Sequence, residues 1–246
     1  MKFLVCISKA PDTTTKIQFT DNNTKFAETG VTFIINPYDE WYALVRAIEL
    51  KEKLGGSVTV INVGGPDNEP IIRKALAIGA DDAVRIDTTA VDSLQVAEQI
   101  AGYARTESFD VILCGKETID YNGSEVGGMI AALLDMPFVS LTTSMELDGA
   151  VANFERDVSG GKEIFSCSLP CVVSASKGMS EPRIPNMRGI MAARTKPLKV
   201  VASTGGTAVT EVIQFELPAA KAGVKLVSPD QVEELVNLLH NEAKVI

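Results

Sequence analysis

The sequence predicts an α/β fold: a doubly wound parallel sheet, an added antiparallel β-hairpin region and an extended C-terminal tail ending in a helix. Three observations carry the prediction. Short continuous apolar runs recur at 3–7, 57–63, 111–114 and 171–174. Amphipathic helical patterns fill the intervals between the first three. From 139 to 165 the pattern switches to alternation, broken by Asp148-Gly149 and Ser159-Gly160-Gly161. A strand covered on both faces reads as an unbroken apolar run, whereas alternation and tight glycine turns mark antiparallel ribbon.

The run 3–7 opens the sheet. Asn36-Pro37-Tyr38-Asp39-Glu40 reads as an acidic helix start, followed at helical spacing by Trp41, Leu44, Val45, Ile48 and the 51–54 segment. The strand at 57–63 leads to a second helix on Ile71, Ile72, Ala75, Leu76 and Ile78, and Leu94, Ala97, Ile100, Ala101 and Ala104 make a third. Beyond the strand at 111–114, a helix is expected over 125–134, with Ser124 as its N-cap and Pro137 past its end. After Lys196 periodicity is lost, with small and polar residues at 202–208, and returns in a helix over 229–240. The expected division is a nucleotide-binding α/β domain over 1–195 and a tail over 196–246.

Composition narrows the function. The chain carries 23 basic and 32 acidic residues, a net charge of −9, and so lacks the basic stripe that displaces counterions from nucleic acid. The apolar run near the start is too short for a secretory core, and none approaches 18 residues, so the expectation is a cytoplasmic protein without direct membrane insertion. Cys6, Cys114, Cys167 and Cys171 form no zinc or redox spacing and read as small buried residues. With His240 as the only histidine, no catalytic nucleophile–base pair and no metal cluster is expected.

Ligands of open parallel sheets sit at the carboxyl ends of the strands, where helix N-termini point amides outward. Three segments fall there: 8–12, 64–67 and 115–128. The third has the richest chemistry. Gly123, Gly127 and Gly128 permit close backbone approach, and Ser124 with the first-turn amides could hold a phosphate. A plain tight turn is the competing reading, since neither G-x-x-x-x-G-K-[ST] nor G-x-G-x-x-G occurs. Asn36 is either part of a helix start or a hydrogen-bonding group for an adenine or ribose edge.

The 181–196 segment (EPRIPNMRGIMAARTK) stands apart. It holds four cations against one carboxylate in an acidic chain, displays Met187 and Met191, and is stiffened by Pro182 and Pro185. One reading is a partner-docking surface rimmed by arginines; the other is a surface loop entering a core helix, with Ile190 and Met191 buried.

The stretches NPYDEWYALVRAIELKEK, IRKALAIGADDAVRI, GKETIDYNGSEVGGMIAALLDMP, FERDVSGG, EPRIPNMRGIMAARTKP and KAGVKLVSPDQ, with NEAKVI at the end, together resemble the β subunits of electron transfer flavoproteins over nearly the whole chain. The resemblance implies a carrier without catalytic residues of its own, paired with an α subunit that holds most of the FAD. It also implies a structural AMP contacted by Cys6, Asn36, Gly64, Thr118, Tyr121, Ser124, Glu125, Val126 and Gly127. By the same resemblance, Glu181, Pro182, Arg183, Met187, Arg188, Ile190 and Met191 form a recognition loop at 181–196, with Met187 as its anchor. Asp157 falls where the family meets the flavin-side subunit, and the tail is expected to pack on that subunit. Electrons would come from acyl-CoA dehydrogenases of fatty acid oxidation and related flavoenzymes, and pass through an ETF-quinone oxidoreductase to the respiratory chain. Where many AMP-binding members read Gln-Thr-Gly, this chain reads Glu125-Val126-Gly127. That departure resembles electron-bifurcating relatives with a second FAD in place of AMP. An adenine-nucleotide hydrolase, using Lys116, Glu117 and Asp120, or a stress-type nucleotide-binding module are the alternatives of another class.

Overall fold

In a computed structural model, which describes residues 1–206, 208–221 and 223–246, the chain begins with β1 (Lys2–Cys6) and β2 (Lys9–Pro11), then the short strands β3 (Phe19–Thr20), β4 (Lys25–Phe26) and β5 (Phe33–Ile35). There follow α1 (Asp39–Leu54), β6 (Ser57–Val63), α2 (Glu69–Ile78), β7 (Asp82–Asp87), α3 (Ser93–Ala104), β8 (Val111–Gly115) and α4 (Val126–Leu134). The second half contains β9 (Phe138–Thr142), β10 (Ser144–Asp148), β11 (Val151–Val158), β12 (Gly161–Ser168), β13 (Cys171–Ala175), α5 (Met187–Ala193), β14 (Leu198–Ala202) and α6 (Val232–Asn237).

Seven strands form the central sheet in the order β14-β7-β6-β1-β8-β13-β9, and every pairing is parallel. Phe3 and Val5 of β1 point into one apolar core with α1 and α2, whereas Leu4 and Cys6 point into another with α3 and α4. Both faces are therefore covered, which is the doubly wound arrangement expected and the reason β1, β6, β8 and β13 read as apolar runs. The antiparallel region is a separate three-stranded sheet, β10-β11-β12, whose inner residues Met145, Ala152 and Phe154 join the first core.

Several expectations need correction. The helix after β8 starts at Val126, not at a Ser124 cap: Glu125 occupies the cap position, no side chain caps the turn, and Ser124 lies in the left-handed region at φ 55°. The antiparallel region begins at Ser144, since β9 is a parallel edge strand of the main sheet. The sheet also runs past residue 195, because β14 pairs with β7 in register from Leu198 against Ala83 to Ala202 against Asp87. Of the irregular stretch at 202–208, Thr207 lies outside the described residues.

Beyond β14 the described residues of the tail touch their own domain through α3 and the β3–β4 hairpin. Gln99 of α3 accepts a hydrogen bond from the Thr204 amide at 2.9 Å, and Asp92 accepts from the amides of Val209 and Thr210. Phe215 stacks on Phe19 with ring centroids 4.9 Å apart. Ile213, Val224, Leu226, Val232 and Val236 stay exposed. The final helix, Val232–Asn237 continued by a π turn at Leu238–Glu242, buries none of its residues in this chain.

Candidate functional site

The chain lays down β1, β6 and β7 in one direction and then returns to place β8 on the other side of β1. At that switch the connections leave the sheet on opposite sides, opening a crevice beyond the carboxyl ends of β1 and β8. Parallel register runs to Val5 opposite Leu113, so Cys6, at the end of β1, and Cys114, one residue before the end of β8, lie side by side on the α3/α4 face. Both thiols are buried, and the hydrogen bond between them together with burial pushes Cys6 well above the ordinary thiol range. They form an unreactive floor.

Helix α1 brings its first turn to this floor because Gly115 lets it. A Cβ on Gly115 would lie 2.7 Å from Glu40 Cγ and 2.9 Å from the Glu40 nitrogen. The acidic first turn of the helix is buried: Asp39 is 9% exposed and Glu40 6%. Glu40 accepts hydrogen bonds from the Ser8 amide at 2.7 Å and the Ser8 hydroxyl at 2.8 Å. Burial nevertheless pushes its carboxyl up to about 8, with repulsion from Asp120 and Asp39 adding to the shift. Asp39 is raised by the same desolvation, opposed by Lys116 at 3.9 Å.

The loop from Lys116 to Glu125 closes the crevice. Asn36, fully buried, donates from Nδ2 to the Glu117 carbonyl at 2.9 Å and accepts from the Ile119 amide at 2.9 Å. Its carboxamide is thus committed to bracing this loop. Lys116 pairs with Glu117 at 2.9 Å, and the Ser124 hydroxyl donates to the other Glu117 oxygen at 3.4 Å. Gly127 is buried where a side chain would press on the Phe138 ring at 3.0 Å and on Cys114 at 3.6 Å.

The contacts of Asn36, Ser124 and Gly127 converge on the connection after β8, beside Cys6 and Cys114, and Thr118 and Val126 lie on the same stretch of chain. Tyr121 and Glu125 are exposed on the same loop. Gly64 directly follows β6, the next strand beyond β1, where any side chain would overlap the Asn68 carboxamide. The sequence signal missed here was Glu40, since nothing local distinguishes a buried first-turn carboxylate from an exposed one.

The 181–196 segment is tied to α1 and α2. Arg183 makes a two-pronged ion pair with Glu52 at 2.8 and 2.9 Å, and Trp41 Nε1 donates to the Arg183 carbonyl. Asn186 caps α5 by accepting from the Gly189 amide at 2.8 Å. Arg73 of α2 donates to the carbonyls of Ala193 and Lys196, and Lys196 returns a bond to the Leu76 carbonyl. Two of the four cations are therefore structural, which leaves Arg188 and Arg194 in solvent.

Ile184 is 89% exposed, Met187 72% and Met191 66%, and Ile190 is also exposed, so the reading that buried Ile190 and Met191 in the core is overturned. Met179, by contrast, belongs to the core. Elsewhere Asp157 sits exposed on β11 opposite Lys162, beside the exposed Ile164 of β12.

The electron transfer flavoprotein domain model matches residues 23–205. Over its full length the chain is 38% identical to a Bacillus subtilis protein named electron transfer flavoprotein subunit beta, all of which is covered. It is 36% identical to one of the same name from Syntrophomonas wolfei (98% covered) and 31% identical to the human one (99% covered), in each case over the whole of this chain. The chain belongs to the electron transfer flavoprotein family. The family match ends at residue 205, just after β14, the last strand of the sheet, and the exposed tail lies beyond both.

Proposed function

We propose that this chain is the β subunit of a heterodimeric electron transfer flavoprotein, a carrier that docks dehydrogenases and closes over the flavin of its α subunit. Full-length similarity to proteins named as β subunits supports the reading. The observation that carries it is the contrast between a well-packed sheet and a tail in which Ile213, Val224, Leu226, Val232 and Val236 stay exposed. Isolated domains rarely leave that much apolar surface in water, and an α subunit would cover it. Asp157 and Ile164, on the outer face of the antiparallel sheet, offer the flavin-side contact.

The crevice residues fit an adenylate. The uncapped N-terminus of α4 leaves amides at 126–128 for an external acceptor, with Ser124 and Lys116 beside them. Cys6, Asn36, Gly64, Thr118, Tyr121, Ser124, Glu125, Val126 and Gly127 are the residues proposed to surround AMP, Asn36 acting by holding the loop in place. The FAD, held mainly by the α subunit, supplies the electron chemistry. This chain contributes docking through Glu181, Pro182, Met187, Arg188, Ile190 and Met191, while Arg183 fixes the segment that presents them. Acyl-CoA dehydrogenases are the proposed donors, a quinone-linked oxidoreductase the acceptor, and the cytoplasm the compartment.

Co-expression with the α subunit should give a yellow complex that releases one FAD and one AMP on denaturation. Two FAD and no AMP would transfer the reading to a bifurcating flavoprotein. A colourless chain that binds no flavoprotein partner would overturn it.

A further inference from the structure

The crevice has a cradle for an anion, and one of the chain's own carboxylates lies in it. Glu117 Oε1 is 2.9 Å from Lys116 Nζ, and Oε2 accepts from the Ser124 hydroxyl at 3.4 Å. The Asn122 side chain reaches the same carboxylate, which these donors hold below the usual carboxylate range, the Lys116 contact foremost. Ser124 meets Glu117 from a left-handed backbone (φ 55°) that serine rarely adopts, and Asn122 at φ 50° shares that geometry, so the loop is wound around the carboxylate.

We propose that Glu117 is a built-in stand-in for the ligand phosphate, holding Lys116 and Ser124 until a phosphate displaces it, and so sets how strongly the site prefers a nucleotide over its nucleoside. The inference rests on the adenylate reading above. A phosphate cannot share Lys116 and Ser124 with Glu117, because two anions on one ammonium repel at contact distance, with Asp39 already 3.9 Å from the same ammonium. Binding therefore requires Glu117 to leave, and its lost contacts are subtracted from the affinity for the phosphate alone. The adenosine portion makes no such exchange.

Calorimetry on the αβ complex, stripped of adenylate, tests this with AMP and adenosine as probes. Glu117→Gln keeps the side chain's shape and weakens its hold on Lys116. It should raise the AMP-to-adenosine affinity ratio about fivefold, the scale of a partly exposed ion pair. Asp120→Asn is the control, because it removes an exposed charge from the same loop, whereas Lys116 pairs with Asp39 and Glu117; it should change the ratio less. Adding Lys116→Met to Glu117→Gln should cancel the gain. A ratio unchanged by Glu117→Gln, or raised equally by Asp120→Asn, overturns the stand-in role while leaving the adenylate site intact. Failure of wild type and variants alike to bind either probe overturns the site and the inference together.

Discussion

Glu40 and Ser8 are joined twice, the Ser8 amide donating to one carboxylate oxygen at 2.7 Å and its hydroxyl to the other at 2.8 Å. The pair ties the first turn of α1 to the segment leaving β1, and so fixes the floor of the crevice from below. Two hydrogen bonds favour the carboxylate, yet burial wins and the carboxyl is pushed up to about 8 from an ordinary 4.5.

That shift sets a pH dependence. Between those two values the folded chain binds a proton on Glu40 that the unfolded chain has released. Stability from this group is therefore full below pH 4.5 and is lost as pH rises toward 8, with a ceiling of about 5 kcal/mol. Glu40→Gln removes the titration. Denaturant melts at pH 5 and pH 8.5 should show the variant gaining on wild type at the alkaline end. Parallel curves at both values would refute the buried-carboxyl account.

Met187 and Met179 separate docking from packing. Met187→Ala, at an exposed position, should change folding stability by less than about 0.5 kcal/mol. FAD content of the complex should be unchanged, while the rate of reduction by an acyl-CoA dehydrogenase falls. Met179→Ala, inside the core, should cost about 2–5 kcal/mol. Loss of FAD in the Met187 variant would count against a docking role.

Arg183 anchors the 181–196 segment without adding much to global stability. Its two-pronged pair with Glu52 is partly exposed, so Arg183→Ala should cost no more than about 1 kcal/mol. The effect should be local instead: faster amide hydrogen exchange over 181–186, measured by mass spectrometry, with α1 and α2 unaffected. Equal exchange in both proteins would mean that the prolines alone hold the segment.

The limits of the sequence are physical. Strands β1, β6, β8 and β13 were legible because burial on both faces leaves an apolar run. Strand β7 was hidden by Arg85, buried at 5% and paired with Asp87, which breaks such a run in the middle. Ile190 and Met191 have the helical spacing of core residues. Spacing cannot distinguish a face turned toward its own core from one turned outward. The crevice loop could be placed from its glycines, but the roles of Asn36 and Glu40 depend on groups over 30 residues away, and no local pattern encodes them.

Gly189 gives the sharpest packing test, because its lack of a side chain is what seats α5 on α2. A Cβ there would lie 2.4 Å from the Ala77 carbonyl oxygen of α2. That atom belongs to the backbone and cannot rotate away, so α5 must lift. On an exposed helix, Gly→Ala would stabilise by roughly 0.5–1 kcal/mol through backbone entropy. Here the overlap should dominate, giving a net loss of about 1–3 kcal/mol, the usual range for overpacking. Lifting α5 also strains the bonds from Arg73 to the Ala193 and Lys196 carbonyls, so Gly189→Ala should slow electron transfer as well as lower the melting temperature. Serine at the same position carries the same Cβ and should behave alike, whereas a stabilised alanine variant would mean that α5 rides free of α2.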